Sequence, residues 1–410
     1  MEKNAIFVSD CLCAIQNPIC AVLESSFLKE QQRIENLDEE VPSRSVARIL
    51  VLSKRQYMNK DLLDDRFGRF REIPLELALR GHQVRGLCLS YAFRGDGTIQ
   101  DGPVVWESID TTTLFLPGFS RFLLRAARLM KTVDFIWACS DSFYGIIACL
   151  LGRKYGVPVV FDLYDNFEFF LAAKLPVIKQ LYRWSLGKCD AVTCVSQPLG
   201  RLVGTFRHRE GITVLENSVR RDLFRPISKD QCRIRFGLPQ EGVLIGTAGA
   251  LHENRGIHHL FEAFFQLKRK YPSLGLLLAG PRRRGFQIPK HSDIHDVGVL
   301  AFEEVPAFLN ALDVAVICNL ENEFGKYCFP QKAREIMACD VPVVAAGVGA
   351  MKELLHTNTE WLYSPDDAAD LARVVEHRLT DRRTGYNNVI SWEDAASCLE
   401  AVLGSISNKA

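Results

Sequence analysis

Apolar residues in this chain gather in short runs, set apart by longer stretches in which they recur at helical spacing. Arg48-Ile-Leu-Val-Leu-Ser53 is the first such run and predicts a buried strand. Arg69 to Arg80 follows with apolar positions on one helical face and stops at Gly81. Further strands are expected over Gln83–Leu89, Phe135–Ala138, Pro158–Asp162, Ala191–Ser196 and Thr213–Glu216, with helical patterns between them. A second cycle opens at Val243–Gly249 and continues through Leu274–Ala279, Ile294–Val299, Val314–Ile317 and Val341–Ala346. Strand and helix alternate, so the expected fold class is α/β, with two doubly wound, Rossmann-like parallel-sheet domains facing a cleft. Arg225-Pro226 and the charged stretch after it place the boundary between Phe224 and Leu238, dividing the chain into 47–228 and 229–390. Residues 1–46 are expected to form an N-terminal extension for which a disordered tail, an extra helix and an upstream start site all stay open. In paired sheets of this kind, ligands sit at the carboxyl ends of the strands, between the domains.

Composition narrows the class without naming a chemistry. The 410 residues suit two domains, and 48% apolar with 24% charged residues describes a globular protein. A formal net charge of +1 argues against general nucleic-acid binding. The 13 cysteines are scattered, with no Cys-x-x-Cys pair, as expected of free thiols in a reducing cytoplasm. Neither Met1–Lys29 nor the apolar stretch Phe135–Gly152 has the uninterrupted length of a signal or membrane span, so a soluble or peripheral protein is expected.

Candidate chemistry is densest between Phe324 and Ala346. Pro330 suits the start of a helix, and Lys332 and Glu335, three apart, then share a face. That spacing sets a cation beside the open N–H groups of a helix start, where phosphate binds, and a carboxylate one turn deeper, where sugar hydroxyls can donate to it. Taken alone, such a pair is more often a solvated surface pair. Gly249-Ala-Leu-His-Glu-Asn-Arg255-Gly256 lies between a strand and the helical stretch Leu260–Arg269, and Arg255 at its mouth has the same phosphate chemistry; an ordinary strand-to-helix turn is the plainer alternative.

With Asn217, Val219, Phe224 and Pro226 ahead of the second cycle, Gly249, Leu251, Arg255 and Gly256 in its first turn, and Pro330-x-Lys332-x-x-Glu335, the sequence resembles the retaining GT-B glycosyltransferases of family 4, in the branch with Pro-x-Lys-x-x-Glu. The resemblance runs from about Arg48 to Leu403. It implies a last helix, about 391–410, that rejoins the first domain. It also implies a donor site of Gly249, Arg255, Gly256, Val299, Gly325, Lys326, Pro330, Lys332 and Glu335, with Glu335 on the donor ribose and Arg255 and Lys332 on the diphosphate. Asp165, Arg255, Lys332 and Glu335 are the expected catalytic set, and Gly68, Arg69, Tyr164 and Asp165 the acceptor side. No cofactor and no metal are expected, the donor being a nucleoside diphosphate sugar and the acceptor a glycan or lipid-linked compound. Three positions depart from the family pattern. Tyr327 stands where an acid is usual, Ala250 where an arginine is common, and Tyr164 replaces a histidine before Asp165.

Other features are less specific. Arg66 and Arg69 are as consistent with a solvated basic turn as with acceptor binding. Arg121, Arg125, Arg128 and Lys131 form a basic stripe that suits an anionic membrane surface or a plain outer helix face. Arg282-Arg283-Arg284 favours a solvated loop, and His291 and His295 with Asp293 and Asp296 lack a third evident metal ligand. A nucleotide-sugar epimerase of the same architecture and a non-catalytic binding module are the alternatives to sugar transfer. An NAD dehydrogenase is disfavoured because no Gly-x-Gly-x-x-Gly opens the first helix.

Overall fold

A computed structural model describes residues 46–57, 60–111, 115–170, 174–207, 210–386 and 389–407. The N-terminal extension, apart from Val46, lies outside the described residues. The first domain contains β1 (Arg48–Lys54), a small hairpin of β2 (Gln56–Tyr57) and β3 (Lys60–Asp61), then β4 (Gln83–Ser90), β5 (Gly97–Asp101), β6 (Val104–Asp110), β7 (Phe135–Ala138), β8 (Val159–Leu163), β9 (Ala191–Cys194) and β10 (Ile212–Val214). Its main sheet runs β10-β9-β8-β7-β1-β4-β6-β5. The second sheet holds β11 (Val243–Ala248), β12 (Leu274–Ala279), β13 (Ile294–Asp296), β14 (Val314–Ile317), β15 (Val343–Ala346) and β16 (Leu362–Tyr363), in the order β13-β12-β11-β14-β15-β16.

The central strands are buried along almost their whole length, which explains why they appear in sequence as continuous Val, Ile and Leu runs and not as alternations. Both orders reverse beside their first strand, β1 or β11, so each sheet has a crevice at the carboxyl ends of its strands. The first sheet is not wholly parallel. β5 and β6 form an antiparallel hairpin at its edge, with Gln100 opposite Val105. Asp101-Gly102, a turn pair between alternating residues, was the signal for it. The strands expected over Ile294–Val299 and Ala191–Ser196 are shorter, ending at Asp296 and Cys194. The hairpin also accounts for part of the basic stripe. Arg121 pairs with Asp96, and Arg125 Nη2 donates to Glu107 at 2.6 Å, so two of its four cations are bound to the protein's own carboxylates. No helix among the described residues is long and apolar enough to cross a membrane.

The crossover between domains comes earlier than the polar stretch suggests. Val219 and Phe224 are already buried in the core of the second domain, so the chain leaves the first at about Glu216. Pro226 and the charges after it belong to the second domain's surface. Val219 N donates to Ile390 O at 3.2 Å, which places the outgoing and returning connections side by side. The final helix, Trp392–Ser407, then packs on the helix Arg69–Leu79, burying Trp392, Ala396, Leu399 and Leu403 in a core of the first domain.

Arg69, expected on the acceptor side, is instead inside the protein at 1% exposure. Its Nη2 donates to Asp162 Oδ1 at 2.7 Å and Leu215 O at 3.0 Å, and its Nη1 to Asn217 Oδ1 at 3.0 Å. Thr193 Oγ1 also donates to Asp162 Oδ1, at 2.6 Å. Burial nonetheless pushes the Asp162 carboxyl up. Removing one partner of a buried ion pair costs about 3–5 kcal/mol because the other is left uncompensated. Arg69→Met is therefore expected to lower unfolding stability by about 3 kcal/mol, measured by urea titration, and Arg69→Met with Asp162→Leu to recover at least half of that. An unchanged midpoint in the single variant would count against the pair as an anchor.

Candidate functional site

The site begins where β11 and β12 end. Gly249 follows β11 with φ of +124° and Gly280 follows β12 with φ of +134°, angles open to glycine. A Cβ on Gly280 would lie 2.0 Å from Gly249 O, and one on Gly249 would lie 2.6 Å from Lys332 Nζ. The two strand ends therefore nest, and the Lys332 ammonium lies against bare backbone. Beyond them a single 3-10 turn, Glu253–Arg255, carries Arg255, and Gly256 with φ of +69° starts the helix Ile257–Lys270. Arg255 lies over the Phe324 ring, 4.3 Å from its centre.

The facing side comes from the helix Gln331–Ala338. Pro330 is its N-cap, one position before the first turn in which the sequence placed it. Lys332 and Glu335 both project inward. Among the described residues neither Arg255 nor Lys332 has a carboxylate within salt-bridge distance, so two half-buried cations confront each other. Burial, then the charge on Arg255, pulls Lys332 down to about 8. Burial pushes Glu335 up to about 7, opposed by Gln331 Nε2, which donates to its Oε1 at 3.0 Å. His252, beside these cations, has a buried Nδ1 with no hydrogen-bond partner among the described residues.

Asp165 approaches from the first domain, after β8. Burial raises it to about 6, while Asn166 N, donating to Oδ1 at 2.7 Å, and the charges on Arg255 and Lys54 act the other way. Asp165, Arg255, Lys332, Glu335 and the Gly249 turn are thus brought together. Tyr164 sits in an aromatic cluster, edge-on to Tyr57 at 5.8 Å and Phe70 at 5.2 Å. Gly68 caps the helix Arg69–Leu79 with φ of +83°, and a Cβ there would strike Tyr57 Oη, so its role is packing. Gly325 is buried against Leu320 O, while Lys326 is exposed and pairs with Glu323 at 3.3 Å. Val299 lies on an exposed loop past β13, where Gly280 N donates to Gly298 O at 2.7 Å. Arg282 is taken up by Asp296, and His291 lies 3.6 Å from Asp293; among the described residues no three potential metal ligands gather.

The sequence that builds this two-sheet α/β fold matches two family models. Glycosyltransferase Family 4 matches residues 71–223, and Glycosyl transferases group 1 matches residues 242–381. The chain belongs to the group 1 glycosyltransferases. The fold is GT-B, shared with a sucrose-phosphate synthase from Thermosynechococcus elongatus, with a TM-score of 0.70, 17% identity, 88% of this chain and all of that one. Anabaena HepE, solved in complex with UDP and with UDP-glucose, aligns over 88% of this chain and 98–99% of its own, at TM-scores of 0.63 and 0.62 and 18% identity. Among curated relatives, the 2-deoxystreptamine glucosyltransferase of Streptomyces kanamyceticus is 27% identical over 50% of this chain and 55% of its own length. A D-inositol 3-phosphate glycosyltransferase of Stackebrandtia nassauensis is 26% identical over 46% of each. The matched region thus spans about half the length of these relatives.

Several residues of this site were not legible in the sequence. Asn217 shows in the sequence only as part of a motif; in the fold it accepts from Arg69 and its Nδ2 donates to Phe329 O at 3.1 Å. Glu216, beside it, pairs with Arg334 on the helix that bears Lys332. Lys54, at the end of β1, lies within electrostatic reach of Asp165. Contacts across the interior leave no periodic trace, so only the polarity of Glu216-Asn217 in an otherwise apolar exit from β10 hinted at them. Asn217→Ala is expected to raise amide exchange about ten-fold in a peptide spanning 328–336, read by hydrogen-exchange mass spectrometry, with exchange in β11 unchanged. Unaltered exchange at the helix start would mean that the amide does not hold it.

Proposed function

We propose that this protein transfers a sugar from a nucleoside diphosphate donor to a hydroxyl of a glycan or lipid-linked acceptor, with retention at the anomeric carbon. One observation carries the reading. Arg255 and Lys332, both half-buried and, among the described residues, neither with a carboxylate within salt-bridge distance, face one another beside bare backbone at Gly249, with the Glu335 carboxyl one turn deeper. Such a place is costly until a polyanion fills it, and a diphosphate supplies negative charge and oxygens together. The UDP and UDP-glucose in the HepE structures support a donor of that class.

In the proposed reaction the bond between the anomeric carbon and the diphosphate oxygen breaks as positive charge grows on the sugar. Arg255 and Lys332 stabilise the negative charge on the departing diphosphate, a preorganised electrostatic contribution that assigns no role to a divalent ion. The acceptor oxygen bonds to the same face of that carbon, and its proton passes to the leaving phosphate oxygen. Glu335 accepts from donor hydroxyls. Asp165 faces the reacting region from the first domain; were it a base on the opposite face, the product would be inverted. NMR of the anomeric proton in the first product formed decides between these, and retention is expected.

Two further outcomes test the site. Lys332→Met and Glu335→Gln should each weaken UDP binding by at least about ten-fold, or 1.4 kcal/mol, in calorimetry, with activity surviving chelation. The pH dependence follows from Lys332, whose ammonium is charged below about 8 and loses its proton above it. UDP affinity should therefore decline as pH climbs from about 7 to about 9, and Lys332→Met should lack that decline. A decline of equal size in the variant would mean that another group titrates.

A further inference from the structure

Next to the cleft, the first domain holds a cavity of about 550 Å³ walled in part by Lys54, Gln56, Tyr57, Lys60, Asp65 and Arg94. We propose that this cavity receives a phosphate group carried by the acceptor. The proposal rests on the glycosyltransfer reading and names the class of compound that the acceptor side takes.

Hydrogen-bond supply in the wall is lopsided. Its carboxylates are engaged by the protein. Asp61 accepts from Arg55 Nε at 2.9 Å, Gln56 Nε2 at 2.9 Å and Leu63 N at 3.0 Å, and Asp65 Oδ2 accepts from Asp61 N at 2.6 Å. The cations are not engaged in this way. Lys54 Nζ is 3.8 Å from Asp141, Lys60 Nζ is 3.8 Å from Asp65, and Arg94 approaches Asp64 at 3.4 Å and Asp61 at 3.8 Å. Those separations allow attraction at a distance but exceed a charged hydrogen bond. Among the described residues none of the three cations donates a hydrogen bond to a protein acceptor. The wall therefore has N–H donors to spare and few free acceptors, so a complementary ligand must bring oxygens and negative charge.

The three cations stand on separate elements: the end of β1, β3, and the loop after β4. A tetrahedral phosphate monoester, with three terminal oxygens, can meet cations arriving from several directions. A planar carboxylate is satisfied by one guanidinium fork. The volume falls in the ordinary range for small-molecule sites, about 300–1,000 Å³, and leaves room for a ring beside the phosphate. Position adds to the case. Lys54 lies within electrostatic reach of Asp165, with its ammonium 5.5 Å from the Phe170 ring centre and 5.9 Å from that of Tyr164. A phosphate anchored at Lys60 and Arg94 would thus leave the body of the acceptor pointing past Lys54 to Asp165 and the donor carbon.

The test uses the whole protein saturated with UDP, so that the donor site cannot bind the probe. Calorimetry compares myo-inositol 1-phosphate with myo-inositol, and sedimentation compares phosphatidylinositol vesicles with phosphatidylcholine vesicles. Lys60→Gln combined with Arg94→Gln, two side chains about half exposed, should weaken binding of the phosphate-bearing probe about ten-fold. UDP affinity should stay within about two-fold. Binding of the soluble ester identifies a free phosphorylated acceptor, binding of the anionic vesicles alone a lipid headgroup, and either supports the site. Equal affinity for inositol and its phosphate without vesicle selectivity, no binding of any probe, or undiminished binding by the double variant overturns it. A protein that bound the phosphate ester but no nucleoside diphosphate would remove the glycosyltransfer reading and leave the phosphate site standing.

Discussion

The buried ion pair between Arg69 and Asp162 fixes how the two domains meet. Asp162 lies near the carboxyl end of β8, and Arg69 opens the helix on which the returning C-terminal helix packs. From this pair the guanidinium reaches Leu215 O and Asn217, the last residues before the chain leaves the first domain. Asn217 in turn donates to Phe329 O, and the next residue, Pro330, caps the helix of Lys332 and Glu335. A continuous set of hydrogen bonds thus runs from the first sheet to Phe329, at the foot of the helix that bears Lys332 and Glu335. A buried ion pair contributes little net stability over apolar packing, and its value lies in fixing geometry. Here the geometry fixed is the placement of one cleft wall against the other.

What that geometry holds is electrostatically unfavourable by itself. Arg255 and Lys332 share one half-buried region in which, among the described residues, neither has a carboxylate within salt-bridge distance, and burial works against the charge on each. Glu335 is raised by the same desolvation. Groups shifted toward neutrality from opposite directions, around a turn of glycines with no side chains to intrude, describe a site whose missing element is a ligand of negative charge at one end and hydroxyl groups at the other. Anion binding would restore the Lys332 ammonium, so ligand affinity and protonation are linked.

Much of this fold was legible because parallel strands buried on both faces leave runs that composition alone marks: Leu274–Ala279 and Val314–Ile317 were read to the residue. The edge hairpin was missed because β6 alternates, burying Val104, Trp106 and Ser108 while Val105 and Glu107 stay half-exposed, a pattern unlike its neighbours. The domain crossover was misplaced because Pro226 is visible in sequence and the burial of Phe224 is not. In the site, Lys332 and Glu335 were legible from spacing, and Arg255 from its glycine neighbours. Arg69 misled because a basic residue after a loop glycine has the same local appearance whether it faces solvent or a buried aspartate. Lys54, Asn217 and Glu216 act through partners distant in sequence, and no local pattern records such contacts.

Tyr327 stands where the resemblance leads one to expect an acid, and the fold gives it another task. Its ring packs against a core of the first domain, and its carbonyl accepts from Ser196 Oγ at 2.6 Å. Phe329 and Ala350 are buried in that same core, and Arg201 reaches Glu353 at 2.7 Å nearby. The segment that should recognise the donor sugar is therefore also the segment that joins the domains. A carboxylate at position 327 would be set in part against the apolar side chains of that core, at a desolvation cost. On the proposed reading, sugar contacts then fall to Glu335 and to backbone groups of residues 323–330. Because that segment is held by the first domain, any sugar contact it makes on the proposed reading depends on how the two domains are packed together.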